Sequence, residues 1–173
     1  MNKLLKKLTD GVKNSILMYV DKNTISLPIE HGPHSGKGEP WAVMRHNRPL
    51  TNRQQALLYK LPEYDSRVIV NKSDVSMKDL AALTAKAEVE FAMFTRKRER
   101  LIIRGDESKV NIDPDDAKEL RVQGYKWSGH THVEDLLESD GDKAVLEAFN
   151  QNSSVIYNAK GEFREFFRMR REV

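Results

Sequence analysis

In the stretch Tyr125 to Phe149, YKWSGHTHVEDLLESDGDKAVLEAF, two histidines stand one residue apart, and a helix-opening Ser-Asp-Gly-Asp follows. Residues two apart on a strand share a face, so His130 and His132 can present both imidazoles to one point. Asp142 falls in the first turn of the next helix. If that helix starts beside the strand end, its carboxylate completes a three-ligand set with a fourth position left for water, the open coordination of a catalytic zinc. A set of two histidines and one aspartate also accepts other divalent ions. The same residues allow a second reading without chemistry. Ser139-x-x-Asp142 is a capping box, with Ser139 as N-cap and Asp142 returning to its backbone.

The elements that must position these residues read clearly after Tyr64. The alternation in SRVIVN predicts a strand, and SMKDLAALTAKAE predicts a helix opened by a capping box of Ser76 and Asp79. EFAMFTRKRERLIIRGD reads as two apolar strands around a basic turn at Arg96 to Arg98. Asp113 as N-cap, Pro114 at the first helical position and Gly124 as terminator define a further helix. YKWSG follows as a strand that ends at the histidines. SDGDKAVLEAFNQ follows as a helix with Ala144, Val145, Ala148 and Phe149 on its apolar face. SSVIYN, a turn at Ala159-Lys160-Gly161, and EFREFFRM close the chain as a hairpin. The order β, α, β, β, α, β, α, β, β implies an α/β (α+β) fold, a mixed sheet flanked by helices.

His-x-His, a short loop and Ser-x-x-Asp together resemble the active-site signature of the JAMM (MPN-type) metalloprotease family. The resemblance spans roughly Ser66 to Met169 and implies a JAMM/MPN-like fold with a layering similar to that of cytidine deaminases. It also implies roles. His130, His132 and Asp142 would bind Zn2+. Glu90, at the start of the strand AEVEFAMF, would hold and deprotonate the attacking water and pass its proton to the leaving amine, with Glu88 as the near alternative. Ser139 would donate a hydrogen bond to the oxyanion. The chain departs from the family pattern at Val133, where proline is usual, and in a loop of six residues between His132 and Ser139, slightly shorter than is common.

The implied activity is a zinc metallopeptidase or isopeptidase acting on a protein or peptide, through a peptide bond or a ubiquitin-like isopeptide bond. The stretch from Leu50 onward also resembles the C-terminal modules of phage MuF-type head-morphogenesis proteins and of bacterial polymorphic toxins. That second resemblance implies a phage-associated or toxin effector, with a larger phage or toxin polypeptide as a partner of the N-terminal arm. A noncatalytic phage structural or interaction module on the same scaffold is the alternative, with the motif residues doing structural work.

Composition narrows the field further. The 173 residues, 39% of them apolar, suffice for one cored domain plus an extension. The division expected is an N-terminal helix and irregular arm over 1–64 and the hydrolase domain over 65–173. The absence of cysteine excludes disulfides, thiolate zinc sites and cysteine nucleophiles, so any metal must be held by nitrogen and oxygen. A net charge of +3 is too small for a nucleic-acid footprint and argues against a metal-dependent nuclease.

Leu5, Leu8, Val12, Ile16 and Tyr19 recur at helical spacing, which predicts an amphipathic helix rather than a signal-peptide core. No apolar run approaches the roughly 20 residues of a spanning helix. The expected location is the cytoplasm, or delivery with a phage or a secreted toxin. From Ser26 to Leu61 irregular structure is expected, with NRQQALLYKL as a short helix. His31 and His34, set among Gly32, Pro33 and Gly36, are a poor metal pair because flexible loops rarely preorganise one. His46 has no partner at interpretable spacing, and the basic tail RMRREV reads as a solvated strand end. Tyr125 and Trp127 read as core.

Overall fold

The computed structural model describes residues 49–168. The amphipathic stretch from Leu5 to Tyr19, the pair His31 and His34, His46 and the last residues of the basic tail lie outside the described residues.

Helix α1 (Asn52–Tyr59) opens on a capping box: the Thr51 hydroxyl accepts from the Gln54 amide, and the Gln54 side chain accepts from the Thr51 amide. Strand β1 (Arg67–Asn71) leads through a 3-10 turn to helix α2 (Met77–Ala87), which is capped by Ser76 and Asp79 as the sequence predicts. Strands β2 (Phe91–Arg96) and β3 (Glu99–Arg104) form the expected hairpin, closed by Lys97 in the left-handed region at φ 52°. Helix α3 (Pro114–Val122) is capped by Asp113, whose carboxylate accepts from two amides of the first turn. Strand β4 (Lys126–His132), helix α4 (Asp140–Ala148) and strands β5 (Ser153–Asn158) and β6 (Phe163–Phe167) complete the chain.

The expected element order and mixed sheet are found. The sheet runs β1-β3-β2-β4-β5-β6, with β4 and β5 parallel and every other neighbouring pair antiparallel. Three connections cross over: α2 carries the chain from β1 past β3 to β2, α3 from β3 past β2 to β4, and α4 joins the parallel neighbours β4 and β5.

Side-chain alternation along the strands sorts the core into two faces. Ala92, Phe94, Leu101, Ile103, Trp127, Ile156 and Phe166 pack with Ala117 and Leu120 of α3 and Leu146 of α4. The intervening Phe91, Met93, Ile102 and Thr131 are buried on the opposite face, where the Thr131 hydroxyl meets Thr84 of α2. Each fully buried large apolar side chain contributes about 1.5–3 kcal/mol, so both faces hold the helices in place.

The compact unit begins at Leu50, ahead of the boundary at residue 65 expected from the sequence, and α1 lies inside it. Leu57, Leu58 and Leu61 are buried, and the Asp79 carboxylate at the start of α2 accepts from Arg53 and Gln54 of α1. A carboxylate that caps one helix and binds two donors of another fixes their mutual angle.

Two local expectations need correction. Strand β4 does not end at Gly129 but continues through both histidines. On α4 the buried residue is Leu146, while Ala144 is exposed, because the helix turns the edge between Leu146 and Phe149 toward the sheet.

Candidate metal centre

His130 and His132 occupy the last positions of β4 and project from one face, while Thr131 between them is fully buried on the other. His130 pairs with Ile156 and His132 with Asn158 across the parallel β4–β5 contact. The chain then crosses six loop residues and enters α4 at Ser139.

The capping box and the ligand set prove compatible, because the Asp142 carboxylate divides its oxygens. Oδ2 accepts from the Ser139 amide at 2.7 Å and from the Ser139 hydroxyl at 2.9 Å, and that hydroxyl accepts from the Asp142 amide at 3.1 Å. Oδ1 stands 3.1 Å from His130 Nε2. The two Nε2 atoms are 3.0 Å apart, and His132 Nε2 lies 3.7 Å from Asp142 Oδ2.

Three ligands at about 2.0–2.2 Å from one tetrahedral ion lie about 3.3–3.5 Å from each other. His130 Nε2 stands 3.0 Å from His132 Nε2 and 3.1 Å from Asp142 Oδ1, close to that range, and the three ligand atoms all lie within 4.8 Å of one another. Among the described residues these three form a group able to hold a metal ion. Two imidazole nitrogens and one carboxylate are donors suited to a divalent transition ion.

The electrostatics point the same way. Burial drives the His130 imidazole below its usual pKa, against the hydrogen bond to Asp142. Burial also opposes charge on His132, but the Asp142 carboxylate beside it, the hydrogen bond to Asp135 and the nearby Glu90 charge outweigh it, raising His132 to about 9. Burial would raise Asp142, yet the His130 and His132 imidazoles facing it and the Ser139 amide hold it well below the usual carboxylate range. Three acceptor-bearing groups converge on one point and need a positive charge there. Without a metal, the cluster takes up a proton on His132.

The structure separates the two glutamate candidates. Glu90 is 7% exposed and directly precedes β2, whereas Glu88 is exposed as the left-handed C-cap of α2. The Glu90 amide donates to the Asp106 carbonyl, and the Gly105 amide donates to the Glu90 carbonyl, both at 2.8 Å. Gly105 is required here, since a Cβ would meet the Lys109 carbonyl oxygen at 2.1 Å. Burial pushes the Glu90 carboxyl up to about 7; the His132 charge opposes this, and the Asp142, Asp106 and Asp135 carboxylates reinforce it. A carboxyl balanced near neutrality can both accept and return a proton.

Ser139, the other candidate, is exposed at the N-cap, with its hydroxyl directed at Asp142 Oδ2.

Several residues that matter to the site were not singled out from the sequence. Asp135 binds His132 Nδ1 at 2.9 Å; its only local signal is its place three residues after that histidine. Trp127, read from the sequence as plain core, stacks on His130 with ring centroids 5.1 Å apart, and Phe166 meets His130 edge-on at 6.1 Å. Arg164 of β6 pairs with Glu138 in the loop before α4 at 3.5 Å.

Among the described residues, no helix is long and apolar enough to cross a membrane. Comparison of the chain with protein-family models, with curated proteins and with solved structures found no match.

Proposed function

We propose that this chain is a zinc-dependent JAMM-like peptidase or isopeptidase that hydrolyses a peptide bond or a ubiquitin-like isopeptide bond. The observation that carries the reading is the convergence of His130 Nε2, His132 Nε2 and Asp142 Oδ1, with a buried carboxyl, Glu90, that feels the charges of His132 and Asp142 and is raised to about 7. Zinc held by His130, His132 and Asp142 would polarise the scissile carbonyl and acidify a water. Glu90 takes a proton from the attacking water on a carboxylate oxygen and returns it to the leaving nitrogen as the C–N bond breaks. Ser139 would turn its hydroxyl from Asp142 toward the developing oxyanion, for which one preorganised donor is worth about 3 kcal/mol. The setting suggested by the second resemblance is a phage-associated or toxin effector.

The test combines metal content with cleavage. Mass spectrometry on untagged protein purified without added metal should find about one zinc per chain, lost in the His130→Ala, His132→Ala double variant. The zinc-loaded protein should cleave isopeptide-linked di-ubiquitin or members of a degenerate peptide library, and Glu90→Gln should keep the metal and lose cleavage by about 100-fold or more. A folded wild type without metal would sink the hydrolase reading. Metal without cleavage of either probe would favour a noncatalytic module on the same scaffold.

A further inference from the structure

The two histidines of the centre are held by different means. His130 is buried, stacked on Trp127 and faced edge-on by Phe166, and its Nδ1 has no hydrogen-bond partner among the described residues. Packing, and on the Nε2 side the Asp142 carboxylate at 3.1 Å, orient that ring, with nothing among the described residues bonded to Nδ1. His132 stands at the end of β4, more exposed than His130, with side-chain exposures of 12% and 4%. Its only ring contact among the described residues is the edge-on one with His130. Its Nδ1 lies 2.9 Å from Asp135 Oδ1.

We propose that Asp135 is a positioning residue of the metal centre, its carboxylate accepting from His132 Nδ1–H and thereby aiming the Nε2 lone pair at the point shared with His130 and Asp142. The inference rests on the metal-centre reading above. A histidine with one ring nitrogen given to a carboxylate is fixed in tautomer and ring rotation, and its free nitrogen becomes a stronger donor.

The loop is built to hold the carboxylate in place, since Asp135 Oδ1 also accepts from the Leu137 amide at 3.0 Å. One oxygen thus fixes both the turn after β4 and the ring of the second histidine. The departure at Val133 from the proline usual in the resembling family falls in this same segment. Here the side chain of Asp135, rather than a proline ring, organises the exit from the strand.

The test must separate a role in the turn from a role on the ring. Asparagine at position 135 retains an oxygen for both hydrogen bonds and removes only the charge, whereas alanine removes both. Zn2+ affinity at fixed pH, measured by competition with a chromophoric chelator, should fall about tenfold in Asp135→Asn and up to about 100-fold in Asp135→Ala. In metal-free protein, long-range 1H–15N spectra should show the His132 Nδ1 proton in a strong hydrogen bond in wild type, weakened in Asp135→Asn and lost in Asp135→Ala.

A purely turn-forming role would leave Asp135→Asn at wild-type affinity and would overturn the proposal, as would an unchanged His132 spectrum in Asp135→Ala. Wild-type protein that binds no zinc would instead overturn the metal-centre reading. In that case the ring spectra alone would decide whether Asp135 orients His132.

Discussion

The hydroxyls of Thr84 and Thr131 stand 2.5 Å apart in the interior, and the Thr131 oxygen also accepts from the Phe91 amide at 2.9 Å. Thr131 separates His130 from His132 on the opposite face of β4, and Phe91 directly follows Glu90. One buried hydroxyl therefore ties the strand that carries both histidines to the segment that carries Glu90, and ties both to α2. The two halves of the candidate site share a rigid floor beneath the sheet.

Replacing Thr131 with valine should lower the stability of the metal-free protein by about 2–4 kcal/mol, because the Phe91 amide and the Thr84 hydroxyl are both left buried without a partner. Thr84→Val should cost less, since Thr131 keeps its bond to Phe91. The double variant should be less destabilised than the sum of the two. Urea unfolding of the four proteins measures this, and strict additivity would show that the hydroxyls do not form one network.

The divided carboxylate of Asp142 can be resolved by substitution. Ser139→Ala removes the N-cap of α4 and should cost about 1 kcal/mol while zinc is retained. Asp142→Asn keeps an oxygen for the Ser139 amide but removes the anionic ligand, so zinc affinity should fall on the order of 100-fold or more, and the metal-free melting temperature should also fall, because the charge that faces protonated His132 is lost. Thermal melts and chelator competition on both variants provide the comparison. Equal zinc loss in both would mean that the cap, not the ligand, controls binding.

The shifted groups set a pH dependence with a definite sign. In the metal-free protein His132 is raised to about 9, so its contribution is complete below the unfolded histidine value and is lost as pH rises through 9. Asp142 is depressed, so its contribution is present above the unfolded carboxylate value and is lost as pH falls. The metal-free melting temperature should therefore decline between about pH 6.5 and 9, corresponding to on the order of 2 kcal/mol. Added zinc should reverse the decline, because the metal replaces the proton at the centre. Calorimetry at pH 7 in buffers of different ionisation enthalpy should detect about one proton released per zinc bound.

Gly129, just before His130, has φ +153°, and a Cβ there would lie 2.7 Å from the Val155 carbonyl oxygen and 3.2 Å from the Met77 side chain. Its register partner Met93 sits where the β2–β4 pairing shifts. Gly129→Ala should destabilise the domain by about 2–4 kcal/mol and weaken zinc binding by displacing His130. Trimming Met77 to alanine in the same chain should not restore stability, since the closer obstacle is backbone. Thermal melts of the single and double variants check this.

Much of the fold was legible because its signals act over a few residues. Ser76 with Asp79, Asp113 with Pro114, and Ser139 with Asp142 announce helix starts through hydrogen bonds closed within one turn. The alternation around Val68 and the apolar run around Ile102 announce strands for the same local reason. Placing Ala144 on the apolar face of α4 failed because periodicity gives a face but not its rotation; packing of Leu146 against the sheet sets that angle. Helix α1 was legible as a helix, but its attachment through Asp79 was not, since Arg53 and Gln54 lie 26 and 25 residues away in the chain.

The same division runs through the site. By itself the sequence determined that His130 and His132 share a strand face and that Asp142 lies in the first turn of a capped helix, because both follow from backbone geometry over two or three residues. Only the tertiary structure decided that Asp142 Oδ1 reaches His130 Nε2, that Glu90 and not Glu88 is buried, and that Asp135 closes on the His132 ring. These approaches depend on how α4 and the loop before β2 settle against the sheet. That placement is set by the summed burial of many side chains distant in sequence, which no short motif encodes.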